Sequence, residues 1–358
     1  MESLVAALAA LAGRRVLVTG DTGFKGSWLS LWLHDLGCEV HGYALPPDGA
    51  TSHFEQLGLA RLIHHVDGDV RDADRLARAF RDARPEVVIH LAAQPIVRRS
   101  YRDPKETFDT NVAGGVNLLE CVRASDDVAA LVFATSDKCY RNVEVSRGYV
   151  ETDRLGGHDP YSASKAAAEL VFASYLDSFF RARPGMGAAT SRAGNVIGGG
   201  DWAEDRIIPD CIRALSAGRP VRIRSPRATR PWQHVLEPLS GYLVLAAALL
   251  RDPSAHEGSW NFGPPESAVH TVGDVVDLVI DGWGSGSVEV EPAPPGMHEA
   301  GLLSLNCDKA REGLGWSPRW DFATTVARTV EWYRLQHDGE PAIELTRRHL
   351  SSYLEVPA

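Results

Sequence analysis

Through the first half of the chain, short runs of β-branched and aliphatic residues alternate with stretches whose apolar positions recur at helical spacing. Arg15-Val16-Leu17-Val18-Thr19 reads as a first strand, Glu39 to Tyr43 as a second and Leu62 to Val66 as a short third. Glu86 to Leu91 reads as a fourth strand, Ala130 to Thr135 as a fifth and Gly187 to Ala193 as a sixth. Helical patterns fall between them at Lys25 to Leu36, Ala73 to Arg81, Pro104 to Arg123 and Tyr161 to Phe180. Unbroken apolar strands separated by helices are the pattern of a parallel sheet covered on both faces. Right-handed crossovers then predict an α/β, doubly wound sheet with its ligand beyond the carboxyl ends of the strands.

After Gly194 the alternation breaks. Gly198-Gly199-Gly200 and loops around Pro209, Pro220, Pro226 and Pro231 interrupt it, and Glu291 to Gly296 is a further irregular loop. The expected division is a dinucleotide-binding domain of residues 1–193, joined by 235–263. Residues 194–234 and 264–358 then form mainly a smaller C-terminal substrate-binding lobe. The helical run Val235 to Leu250 is read as returning to the main domain. Met1 to Ala12 is apolar and alanine-rich, lacks the basic stretch of a secretory leader, and predicts a short helix beside the first strand. It is too short to span a bilayer.

Composition narrows the class of partner. With 44% hydrophobic and 23% charged residues the 358-residue chain is an ordinary globular sequence. Its formal net charge of −10 argues against a nucleic-acid partner, while leaving room for a local basic pocket. The five cysteines are scattered without a CxxC pair, so neither a disulfide framework nor a metal site is expected, and a reducing cytoplasm is the simpler location. Only five of the 37 basic residues are lysines: Lys25, Lys105, Lys138, Lys165 and Lys309.

Candidate chemistry concentrates at the ends of the strands. Gly20, Gly23 and Gly26, with Thr22, Phe24 and Lys25 between them, stand between strand one and a helix. Glycines there let the backbone approach a pyrophosphate, and the helix amino end offers it N–H groups. Asp21 is unwelcome in such a cradle and is expected to point away or cap the helix. After strand two the nearest acid is Asp48, and no basic residue stands there to hold a 2′-phosphate, so NAD is favoured over NADP. Asp69 and Val70 are candidates to bracket the adenine, and Leu91-Ala92-Ala93 to floor the cofactor. Tyr161 and Lys165 share a helix face at i,i+4, where an ammonium and a nicotinamide cation would favour a phenolate. Lys165 could also donate to the nicotinamide ribose. Thr135-Ser136-Asp137-Lys138 ends strand five, with Thr135 or Ser136 placed to bond a substrate hydroxyl and an acid and a possible base side by side.

The glycine segment with Phe24 to Leu29, the Tyr161/Lys165 pair and Thr135 to Lys138 resemble the extended short-chain dehydrogenase/reductases. His90 to Tyr101, Arg192 to Trp202 and Arg230 to Val235 are similar, more narrowly, to the CDP-glucose 4,6-dehydratases. The resemblance spans about residue 14 to 335. It implies a Rossmann fold, bound NAD, and dehydration of CDP-glucose to its 4-keto-6-deoxy form by internal hydride transfer from C4 to C6. It implies Tyr161 as the group that takes the C4 hydroxyl proton and Asp137 as the acid that protonates the leaving C6 hydroxyl. Lys138 stands where many related dehydratases carry a glutamate as the C5 base. Gln94, Ser136, Asn195, Arg206, Arg230 and His298 are the candidate substrate contacts, with Arg222 a further arginine for the diphosphate. A homodimer or homotetramer paired through the Pro104 to Arg123 and Tyr161 to Phe180 helices is also implied. A nucleotide-sugar 4-epimerase, which has no need of an acid at Asp137, and a non-catalytic dinucleotide-binding protein are the alternatives.

Overall fold

The computed structural model describes residues 2–49, 51–145, 147–265, 268, 270–291 and 302–356. Seven parallel strands form the central sheet: β1 (Arg15–Thr19), β2 (Glu39–Ala44), β3 (His64–Asp67), β4 (Val87–His90), β5 (Ala130–Ala134), β6 (Gly187–Ala193) and β7 (Gly258–Phe262). Their order is β7-β6-β5-β4-β1-β2-β3, so the chain reverses its direction of winding between β1 and β4. Thr19 pairs with His90 and His90 with Phe133, which brings Gly20, Leu91 and Thr135 out at one edge of the sheet. That reversal opens a crevice at the carboxyl ends of the strands, where doubly wound folds bind ligands.

Period-two alternation divides the strands between two cores. Val16, Val18, Val87, Ile89, Ala130 and Val132 face one side, with Trp28, Leu29 and Leu243 from the helices Phe24–Asp35 and Leu236–Arg251. Leu17, Val88, Leu131 and Phe133 face the other, with Phe80, Leu118 and Phe172 from the helices Ala73–Ala83, Gly114–Ala124 and Pro160–Tyr175. The first helix, Glu2–Leu11, packs chiefly on Leu236–Arg251 rather than beside the first strand. No helix among the described residues is long and apolar enough to cross a membrane.

Two expected helices carry wide turns. The run from Pro104 is helical to Phe108, passes through a π-helical turn at Asp109–Ala113, and resumes at Gly114–Ala124. The helix Pro160–Tyr175 ends in a second π-helical turn, Leu176–Phe180. Such turns recur at functional sites, and the first lies beside the cleft. The strand β7 is not marked by the period of the sequence, because Gly258-Ser259-Trp260-Asn261-Phe262 carries two polar residues that are spent on buried hydrogen bonds.

Residues beyond β6 add short two-stranded pairings: Val196–Ile197 with Gln233–His234, Thr229–Arg230 with His270–Thr271, and Val221–Ile223 with Val288–Val290. The helices Ile207–Ser216, Val272–Trp283 and Phe322–His337 pack with them. The last helix, Ala342–Glu355, crosses back to the short helix His53–Leu57, and Arg347 pairs with Asp35 at 2.8 Å.

Candidate active site

A cleft of ≈ 680 Å³ runs along the carboxyl edge of the sheet and under the short pairings of the later residues. At its cofactor end Gly20 has φ +78°, and a Cβ there would lie 2.8 Å from the Ala92 nitrogen. A Cβ on Gly26 would lie 2.0 Å from the Gly20 carbonyl oxygen, so the helix Phe24–Asp35 can start this close to the turn only with glycine. Gly23 caps that helix without a side-chain bond, leaving its first N–H groups for a ligand. Thr22, Phe24, Lys25, Asp69, Val70, Leu91, Ala92 and Ala93 line the same wall. Asp21 points away from it: its carboxylate lies 2.7 Å from His65 Nδ1 and against Gly42, and burial raises its pKa.

These residues fit a dinucleotide. The turn has no room for a side chain, the helix end supplies donors, and Leu91, Ala92 and Ala93 leave a shallow floor. The Asp69 carboxylate is taken by Arg71, whose Nε donates to it at 2.8 and 3.0 Å, so Asp69 turns to a neighbouring guanidinium as well as to the cleft. Arg71, which no local pattern marks, is thus a basic residue on the same wall as Asp69 and Val70.

At the centre of the cleft, Asp159 caps the helix Pro160–Tyr175 through a bond from the Ser162 N–H, with Pro160 in the first turn. That start holds Tyr161 and Lys165 one turn apart, both buried. Burial raises the Tyr161 phenol to about 12, and the Ser136 hydroxyl that bonds it acts in the opposite direction. Burial lowers Lys165 to about 8, opposed by Glu169 and Cys139. The low-pKa phenolate expected from the Tyr161/Lys165 pair is therefore not a property of the protein groups alone. In the buried pocket both side chains are pushed toward their neutral forms.

The segment after β5 corrects one expected role. Thr135 turns its hydroxyl away from Tyr161 and donates it to Glu169 Oε1. Ser136 is the hydroxyl on the phenol's side, close enough to lower its pKa, and it donates to Asp137 Oδ1 at 3.0 Å. Successive residues of an extended segment face opposite sides, so only one of the two can serve the substrate. Asp137 is 2% exposed, and its Oδ2, without a hydrogen-bond partner, stands where a Cβ on Gly194 would be 3.1 Å away. Burial raises the Asp137 pKa, while Lys138, Ser136, Lys25 and Arg230 hold it down. The result is a carboxyl group biased to carry a proton. Lys138 lines the cleft beside it.

Lys25 departs from a plain cofactor contact. Its ammonium is buried 3.4 Å from the Tyr242 hydroxyl, and burial together with Arg206 and Lys165 lowers it to about 7. Gln94 lines the cleft, but its amide is largely spent on the protein: Nε2 donates to Thr107 at 2.8 Å and Oε1 accepts from the Ile96 N–H at 2.6 Å. It shapes the loop after β4 rather than reaching for substrate. Asn111, in the first π-helical turn, accepts from the Gln94 N–H and donates to Ser164, tying that loop to the Tyr161 helix. The wide turn it sits in is invisible to a 3.6-residue period.

On the far wall, Asn195, Arg206 and Arg230 line the cleft. Arg206 donates to the buried Asp201 at 2.8 Å, and its charge reaches Tyr161. Arg230 is 9% exposed and close enough to Asp137 to stabilise its charge. Arg222 is two-thirds exposed and is held by Glu289 and Glu291. Arg98 and Asp205, neither singled out from the sequence, meet at 2.7 Å across the mouth. Trp202 packs edge-on to Tyr333 in the core and does not line the cleft. His298 lies outside the described residues. Among the described residues, no cluster of three or more metal-ligating side chains forms.

The chain is 46% identical to the CDP-glucose 4,6-dehydratase of Salmonella typhimurium over 96% of its own length and 97% of that protein's. Its fold matches a dTDP-glucose 4,6-dehydratase from Streptomyces venezuelae solved with NAD bound, with a TM-score of 0.76 and 26% identity over 90% of this chain and 98% of that one. It also matches the UDP-glucose 4-epimerase of Thermus thermophilus in complex with NAD, with a TM-score of 0.76 and 30% identity over 89% and 98% of the two chains. A model of the GDP-mannose 4,6 dehydratase family matches residues 17–329, and the chain belongs to that family.

Proposed function

We propose that this protein is an NAD-dependent hydro-lyase that converts CDP-glucose into CDP-4-keto-6-deoxyglucose. The observation that carries this reading is Asp137, a buried carboxyl group whose unpartnered oxygen stands in the same cleft as Tyr161 and Ser136. A 4-epimerase shares the fold, the cofactor and the Tyr161/Lys165 pair, but it expels no hydroxyl and has no use for an acid there. The 46% identical relative named for the same reaction supports the choice of sugar nucleotide.

The Gly20–Gly26 turn, Asp69, Val70 and the Leu91–Ala93 floor would hold NAD, and the chemistry it would supply when bound is reversible hydride transfer, accepting a hydride from C4 and returning it to C6. Tyr161 takes the C4 hydroxyl proton, with Ser136 bonding the same oxygen and the Lys165 ammonium favouring the phenolate. The resulting ketone acidifies C5–H. Lys138, when present as its neutral amine, removes that proton while Asp137 gives its own to the C6 hydroxyl, so that water leaves and a C5–C6 double bond forms. In the last step C6 is reduced by the hydride first taken from C4 while C5 takes a proton that has exchanged with solvent, which saturates the C5–C6 bond and gives the 6-deoxy sugar. Asn195, Arg206 and Arg230 bind the diphosphate and nucleotide, which makes 194–234 and 264–358 mainly the substrate lobe.

We further place the enzyme in the cytoplasm as a homodimer or homotetramer. All five cysteines are free, and the helices Pro104–Phe108 and Pro160–Tyr175, with the turn after the latter, expose Phe108, Leu170 and Phe179. The deciding experiment is mass spectrometry of CDP-glucose incubated with the enzyme and NAD in D2O. Loss of water with one deuteron retained at C5 is expected. An unchanged mass with a new C4 configuration by NMR would replace this reading with epimerisation, and an unchanged sugar would reject both for this substrate.

A further inference from the structure

Helix Pro160–Tyr175 carries a third polar residue on the face of Tyr161 and Lys165. Glu169 follows Lys165 by four positions and is 3% exposed. Its Oε1 accepts from the Thr135 hydroxyl, and its Oε2 accepts from Thr190 at 2.9 Å, Arg192 at 2.7 Å and Ser259 at 3.2 Å. One carboxylate thus ties the Tyr161 helix to the end of β5, to β6 and to β7. Arg192 continues the network, donating to the Tyr140 hydroxyl at 2.8 Å and to the Glu151 carbonyl at 2.9 Å. Tyr140 in turn donates to Asn261 at 2.7 Å.

The segment between these anchors is the catalytic one. Thr135 is bound to Glu169 and Tyr140 to Arg192, and Ser136, Asp137 and Lys138 lie between them. Granted the dehydration chemistry proposed for the cleft, we propose that the buried Glu169–Arg192 pair is its positioning device: it clamps residues 135–140 at both ends and presents a negative charge to Lys165 one turn away. A buried ion pair stabilises a fold little compared with apolar packing, because desolvation offsets most of its attraction. Its place here is explained by what it holds. The acid and the Ser136 hydroxyl must stand within hydrogen-bond reach of a sugar bound over Tyr161, and a 1 Å error in such a site costs up to about 100-fold in rate.

The charged and titratable groups around Lys165 are Tyr161 and Glu169 on its own helix, Cys139 on the clamped segment, Lys25 on the glycine helix and His90 at the end of β4. Removing the Glu169 charge takes away a neighbour that favours the ammonium, so Lys165 should lose its proton at lower pH. Four variants separate positioning from bulk stability. Thr135→Val and Tyr140→Phe, which cut either end of the clamp without leaving a charge unpaired, should lower kcat about 10-fold with KM within twofold. Thr135→Ser, which keeps the hydroxyl, should stay within twofold of the parent enzyme. In Glu169→Gln, 13Cε-lysine NMR should show the Lys165 resonance, assigned by its loss in Lys165→Met, titrating at lower pH than in the parent. With five lysines in the chain that spectrum is simple.

Unchanged kcat in both clamp variants, or no rescue by Thr135→Ser, would overturn the positioning role. An unmoved Lys165 titration would overturn the charge role, and should Glu169→Gln not fold, the Thr135 pair still decides. If the parent enzyme leaves CDP-glucose untouched, it is the dehydratase reading that falls, and the lysine titration still tests Glu169.

Discussion

On the cofactor wall of the cleft, the groups that would meet a ligand are mostly backbone and small side chains: Gly20, Gly23, Gly26, Leu91, Ala92 and Ala93. On the facing wall they are guanidinium groups, and each has a carboxylate nearby: Arg206 with Asp201, Arg222 with Glu289 and Glu291, and Arg230 close enough to Asp137 to act on its charge. One wall would recognise a pyrophosphate by shape, the other by charge that is already partly neutralised. A backbone cradle cannot rearrange, so it selects by steric exclusion and tolerates no added atom. An arginine paired to an acid keeps its position in the empty cleft and can share its remaining donors with a phosphate. The first wall is therefore brittle toward substitution, and the second graded.

The largest effect should appear where the two walls meet. Asp137→Asn removes the acid and should lower dehydration by roughly 10²- to 10⁴-fold. Reduced nicotinamide absorbance should still appear on adding CDP-glucose, because oxidation at C4 does not need Asp137. Absence of that absorbance would show that Asp137 serves the redox wall as well.

Next comes the steric wall. Gly20→Ala places a methyl 2.8 Å from the Ala92 nitrogen at a φ of +78°, and NAD affinity by calorimetry should fall by at least about 100-fold. A fall of less than tenfold would mean that the turn shifts freely, which would erase the contrast between the walls.

The graded wall should give smaller, unequal losses. Arg206→Ala should raise KM for the nucleotide sugar roughly 10- to 100-fold, since it removes a partly buried charge-assisted donor held in place by Asp201. Arg222→Ala should change KM by less than about threefold, because that side chain is 67% exposed and its ion pairs are screened. Equal effects would place the diphosphate elsewhere on the wall.

The smallest effect is in pH. Burial lowers Lys165 to about 8, so its ammonium is present below that value and lost above it. The kcat/KM profile should accordingly decline as pH rises through about 8, where an unperturbed lysine would hold its charge to about 10. A flat profile across that range would show that bound NAD, or the substrate, restores the ordinary lysine value.

Much of this molecule is legible in its sequence. The six strands named from apolar runs all occur, none with an end shifted by more than two residues, and the turn, the Tyr161/Lys165 pair and the Thr135–Lys138 segment come to one edge. Those features depend on local period and on where parallel strands must end. What escaped depends on partners distant in the chain. β7 is unremarkable alone and becomes a strand by pairing with β6. The short third strand, mostly exposed at the sheet edge, carries a weak apolar signal and runs from His64 to Asp67, starting two residues and ending one residue later than its pattern suggests.

Strand and helix periods and glycine turns are written in neighbouring residues, so local pattern was enough to specify the sheet, the edge at which chemistry would occur and the residue types gathered there. Tertiary structure alone decided which of Thr135 and Ser136 faces Tyr161, that Gln94 is spent on its own loop, and that Arg206 arrives already paired. Adjacent residues of a strand point to opposite sides, and the side that is buried is set by helices folded onto it from elsewhere. Glu169, 34 residues from Thr135 and 90 from Ser259, fixes that choice here by a carboxylate that no local pattern could reveal.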